Sequence, residues 1–178
     1  MSGQLRIKNV ELELISELMK NSRRSDRDLA KAIGVSQPTV SRMIKKLENE
    51  EIIKEYAMIP DFRKLGYEIL ALTFLSLKKE PSPEEIEKAR GTIQEHSEKS
   101  LSEIVMFERG IGLRYHGVMV SFHKDYSSYM KFRERVAQFD FLELSGIESF
   151  LISLVDENRY LPLTFASLAK HLLTLKEK

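Results

Sequence analysis

An α+β fold in two parts is predicted by three patterns. The stretch "SDRDLAKAIGVSQPTVSRMIKKLENEEIIKEY", Ser25 to Tyr56, pairs two short helical periodicities across a glycine. From Tyr67 onward, apolar alternation and amphipathic stretches follow one another in the order β-α-β-β-α-β. A last amphipathic segment closes the chain. The predicted architecture is an N-terminal winged helix-turn-helix over residues 1–60 and a linker over 61–66. A ferredoxin-like βαββαβ sandwich with an extra C-terminal helix then spans 67–178.

The helices can be placed in order. Val10, Leu14 and Leu18 recur at helical spacing and predict a helix from Lys8 to Met19. Ser25, with Asp28 three residues on, is an N-cap pattern for a helix from Asp26 to Ile33, and Gly34 is suited to end it. Ser36 is placed to cap a third helix, with Pro38 in its first turn, running to about Asn49. Ile52 to Ile59 reads as an extended wing, broken at Pro60.

In the second part, "YEILALTFLSL" predicts a strand with two apolar faces, and Ser82 caps a helix from about 82 to 96. "SEIVMFE" and "HGVMVSF" predict two strands joined by a glycine-bearing connection from Arg109 to His116. Asp125 caps a helix reaching Phe139, and "GIESFLISL" is a fourth strand. The C-terminal helix covers about Thr164 to Leu175, with Phe165, Leu168 and Leu172 on one stripe.

Bulk properties narrow the function. The 178 residues are 42% hydrophobic and 31% charged with a net charge of +1, and there is no cysteine. Disulfide frameworks and thiolate chemistry are excluded. The stretch "MSGQLRIKNVELEL" has no apolar core of signal-peptide type, and the longest apolar run, Ile69 to Leu77, is too short to span a bilayer. These point to a soluble cytoplasmic protein with no membrane partner. Locally the charge is not balanced: Lys20, Arg23, Arg24, Arg27, Lys31, Arg42, Lys45 and Lys46 face only Asp26 and Asp28. Screening confines each charge to about 10 Å, so this local excess matters more to a polyanion than the total does.

On the third helix, Val40, Met43, Ile44 and Leu47 define a buried side. Arg42, Lys45 and Asn49 fall opposite, with Ser41 and Lys46 on the flanks and Gln37 and Thr39 at the N-terminal end. That end meets base edges when such a helix enters a major groove. Arg forks onto guanine and Gln reads adenine. Gln37, Thr39, Ser41, Arg42, Lys45 and Lys46 are the expected DNA-reading set, with Arg24 and Arg27 placed for phosphates. A solvated basic face, or a winged-helix adaptor that binds only protein, is the alternative.

The segment from "ELELISELMKNSRRSDRDLAKAIGVSQ" through "DFRKLGY", followed by the βαββαβ order, resembles the Lrp/AsnC (leucine-responsive, feast-famine) transcription regulators over roughly Leu5 to Leu154. The resemblance implies a sequence-specific DNA-binding regulator of double-stranded DNA, assembled as a homodimer or higher oligomer through the sandwich. It also implies a small-molecule effector near the second hairpin. That hairpin, "FERGIGLRYHGVMVSF", lacks the family's aspartate but offers Arg109, Arg114 and His116, a set suited to an anionic ligand or, as a solvated hairpin, to none. A related architecture serves sirohaem-type tetrapyrrole decarboxylases, the enzymatic alternative. His96, His116, His123 and His171 show no metal spacing and no nucleophile–base pair is evident, so neither catalysis nor a cofactor is expected. The two apolar faces of the first strand call for a partner on the side that the sandwich helices leave open: a second chain, or the C-terminal helix.

Overall fold

The computed structural model describes residues 7–79, 82, 84, 87, 91, 101–158 and 160–175, in two compact units. One comprises Met1–Pro60 together with Arg159–Lys178, and the other Asp61–Asn158.

The first unit is built on α1 (Asn9–Lys20), α2 (Asp26–Ile33) and α3 (Gln37–Asn49). Their apolar stripes meet in a cluster of Leu14, Leu18, Leu29, Ala30, Val40 and Leu47, flanked by Ile15, Ile33, Val35, Met43 and Ile44. Each helix start has its own solution. At α1 the Glu11 carboxylate accepts the Lys8 N–H at 2.8 Å. At α2 the Ser25 hydroxyl accepts the Asp28 N–H at 3.2 Å and donates to that carboxylate at 2.6 Å. At α3 Ser36 holds the cap position, but its hydroxyl pairs with Thr39 Oγ1 at 2.8 Å instead of a backbone N–H. Gly34 closes α2 at φ 72°, a left-handed conformation that a side chain disfavours. The expected wing forms no strand: Ile52 and Ile53 fold back onto the helical cluster, and residues 54–60 carry no ladder.

The last helix, α5 (Ala166–Leu172, continued by a 3-10 turn at Leu173–Leu175), packs on α1. This corrects the expected grouping of the C-terminal helix with the sandwich. The cause is local: Ala169 is fully buried, and its small side chain lets its carbonyl accept the Ser16 hydroxyl at 2.8 Å.

In the second unit, β1 (Ile69–Leu77), β2 (Ile104–Gly112), β3 (Tyr115–His123) and β4 (Leu142–Ser153) form one antiparallel sheet in the order β2-β3-β1-β4. This is the ferredoxin-like order. α4 (Tyr126–Val136) starts at Asp125, whose carboxylate accepts the Ser128 N–H at 2.6 Å, and lies on one face. Ala71, Leu75, Met119, Leu142 and Ile147 from the sheet, with Tyr129, Phe132 and Val136 from the helix, form the core. At the β1–β4 bulge Gly146 is required, because a Cβ there would lie 2.3 Å from the Ser76 Cβ. The helix expected between Ser82 and His96 falls mostly outside the described residues.

The register assigns the opposite face. Leu70, Leu72 and Phe74 of β1 pair with Phe122, Val120 and Val118 on one side, and with Ile152, Phe150 and Glu148 on the other. Phe62, from a 3-10 turn at Phe62–Leu65, stacks on Phe122 at 4.0 Å. Phe150 is 63% exposed and Ile152 37%.

Candidate nucleic-acid interface

The exposed side of α3 is the candidate functional surface. Val40 and Leu47 are fully buried, which turns Gln37, Ser41, Arg42 and Lys45 to solvent at helical spacing. Thr39 is half-buried, tied to Ser36. Arg42 Nε donates back to the Pro38 carbonyl at 3.3 Å, so the side chain lies along the first turn of the helix. Neither Arg42 nor Lys45 enters an ion pair among the described residues. Asp26, Ser41, Ile44, Lys45 and Glu48 line a hollow of about 310 Å³ between α2 and α3.

Two of the expected DNA contacts are ion-paired inside the unit. Lys46 Nζ donates to Glu11 Oε1 at 2.8 Å, and Glu11 is only 3% exposed. Burial pushes the Glu11 carboxyl up, but the bonds from Lys46 and the Lys8 N–H outweigh it and hold the group below its ordinary value. The same bond to Glu11 raises Lys46. Arg24 pairs with Glu17, which also takes Lys20, and its other nitrogen donates to the Asp28 carbonyl at 3.3 Å. Arg27 remains exposed, beside Asp28.

The Glu11–Lys46 pair spans 35 residues, a separation at which no local pattern could have signalled it. Tyr56 was likewise missed. Its hydroxyl donates to Glu48 on α3 at 3.0 Å, and burial together with that carboxylate pushes the phenol up to about 12.

At the second hairpin the turn is tighter than expected. Arg109 and Gly112 belong to β2, and Leu113 and Arg114 alone make the turn, with φ of 52° and 65°. Two consecutive non-glycine residues in the left-handed region are costly. Arg114 is exposed, whereas His116 is half-buried and its Nδ1 accepts the Leu77 N–H at 3.2 Å. No group of three possible metal ligands occurs among the described residues, and none of the described helices is long and apolar enough to cross a membrane.

A three-helix core that buries one side of a cationic, polar third helix is the arrangement of a helix-turn-helix DNA-binding domain. A family model described as winged helix-turn-helix DNA-binding matches residues 8–54. An uncharacterised HTH-type transcriptional regulator of Pyrococcus furiosus is 28% identical over 152 residues, covering 85% of this chain and 94% of the relative. The regulator LrpC of Bacillus subtilis is 34% identical over 74 residues, 42% of this chain and 51% of LrpC. A crystal structure of an AsnC family transcriptional regulator from Agrobacterium tumefaciens superposes with a TM-score of 0.69 at 19% identity, covering 91% and 99% of the two chains. The chain is thus similar in sequence to HTH-type transcriptional regulators, LrpC and a leucine-responsive regulatory protein among them, and shares its fold with AsnC and LrpC. These relatives are named as transcriptional regulators, which favours the regulator reading over the decarboxylase alternative.

Proposed function

We propose that this DNA-binding transcription regulator reads duplex sequence with the N-terminal half of α3 and does so as a homodimer. The observation that carries the reading is the exposed row Gln37, Ser41, Arg42 and Lys45, presented by a helix whose opposite side is fully buried. Gln37, Arg42 and Lys45 supply the donors that base edges and phosphates accept. Exposed Arg27 would meet a phosphate. Lys46 and Arg24, engaged by Glu11 and Glu17, act by fixing the helices.

The dimer is supported by the open sheet face. Leu70, Leu72, Phe74, Phe150 and Ile152 make a continuous apolar strip across β1 and β4, larger in kind than the scattered apolar residues of a monomer surface. Two-fold pairing presents two copies of α3 to a pseudo-palindromic site. An anionic effector at the Leu113–Arg114 turn would use Arg109 and Arg114, with His116 seating the turn against β1. Sequence selection from random duplexes tests the central reading, and recovery of a motif is expected. Arg42→Ala should weaken binding to that motif by about 1–3 kcal/mol and relax one base position. An unchanged affinity and preference would move the reading surface elsewhere.

A further inference from the structure

The last helix touches α1 on a side that the three-helix core does not use. Leu12 and Ser16 are 8% and 0% exposed, yet neither belongs to the cluster around Leu14 and Leu18. α5 packs along α1, and the Ser16 hydroxyl donates to the buried Ala169 carbonyl. Glu11, the neighbour of Leu12, meets a different helix: its carboxylate takes Lys46 of α3 at 2.8 Å. Helix α1 is thus held by the tail and itself holds the recognition helix.

We propose that α5 is a clamp that positions α3 for DNA, acting through α1 and the Glu11–Lys46 ion pair. The proposal rests on the reading of α3 as the DNA-contacting helix. The docking is reversible on physical grounds. A helix of seven residues has no stability of its own and stays helical through its contacts. When it leaves, the Ser16 hydroxyl and the Ala169 carbonyl pass to water at little cost, and the core cluster keeps its apolar contacts. An α1 free to roll no longer holds Glu11 at one distance from Lys46. α3 then samples orientations that do not fit the groove, and apparent affinity falls by the fraction that still fits.

The test uses the full chain on a selected duplex across a salt series, with circular dichroism to report the fold. Ala169→Arg cannot be accommodated at a fully buried contact; it should raise Kd about tenfold and leave the salt slope unchanged, because phosphate contacts are kept. Ala169→Ser, nearly the same size, should restore wild-type binding. Glu11→Gln should raise Kd comparably, and the double variant should be no worse than the worse single one, because both act on one route. Should Ala169→Arg unfold the unit, Ser16→Ala carries the test, with a rise of about threefold expected from loss of one hydrogen bond. Wild-type affinity in a folded Ala169→Arg chain, or in Ser16→Ala where that chain unfolds, overturns the clamp. So do full additivity with Glu11→Gln and a flattened salt slope; the latter would make α5 a phosphate contact through Lys170. A wild-type chain that retains no duplex overturns the reading of α3 and the clamp with it, whereas normal wild-type binding beside an unaffected Ala169→Arg overturns the clamp alone.

Discussion

The two units stabilise themselves by different means. The N-terminal unit is three short helices with a small apolar cluster, and its charged groups are organised: Glu11 with Lys46, Glu17 with Lys20 and Arg24. The sandwich rests on a four-stranded sheet whose α4-facing side receives Phe132 of that helix at zero exposure and carries the buried imidazole of His123. His123 Nε2 meets Ser121 Oγ at 2.8 Å while its Nδ1 has no partner among the described residues. A small unit needs ion pairs to fix helix orientation, because few apolar contacts are available to do so. A sheet fixes its own geometry through the ladder, and can bury a neutral ring and leave a face open.

The largest effect that would sharpen this contrast is in the cores. Phe132→Ala should cost the sandwich about 3–5 kcal/mol, and Leu14→Ala should cost the helical unit about 2–5 kcal/mol. Each should lower only its own transition in a melt followed by hydrogen exchange of the two regions. A shared shift would show that the units unfold as one. Next, Phe150→Asp on the open face should weaken self-association by about 2 kcal/mol or more in sedimentation, without lowering the helical unit's stability. A variant that associates like wild type would remove that face as the interface.

The pH responses should also separate. Burial holds His123 below its ordinary value, with Glu103 opposing and Arg135 reinforcing the shift. A lowered histidine means that the unfolded chain takes the proton first, so the sandwich loses stability as pH falls below about 6.5. Glu11 and Glu17 are lowered carboxyls, so the helical unit keeps their contribution until pH falls below about 4.3 and loses it on descending through the lowered values. Thermal melts at pH 7, 5.5 and 4 should show the sandwich transition moving first, and His123→Phe should abolish that early movement. The smallest expected effect is Ser25→Ala, about 1 kcal/mol on the helical unit, from loss of the α2 cap.

What the sequence revealed follows the same division. The three N-terminal helices were legible to within a residue or so, since caps, Gly34 and apolar spacing are local signals. Strand identity and the ferredoxin-like order were legible from alternation and sequence order. The turn at Leu113–Arg114 was not, because glycines stood nearby and two branched or long residues with positive φ contradict the usual turn chemistry. The cationic face of α3 was readable from its period. That Lys46 and Arg24 belong to Glu11 and Glu17 was not, because those pairings arise only when α1 packs beside its neighbours.

The docking of α5 on α1 also bears on how the protein is made. During synthesis α1, α2 and α3 emerge first and can gather around Leu14 and Val40 while the sheet is still being translated. Ser16 then waits without its Ala169 partner until residues 160–175 emerge, after the whole sandwich. The helical unit is therefore begun first and completed last, and a nascent chain stalled within β4 would carry α1 without the helix that packs on it.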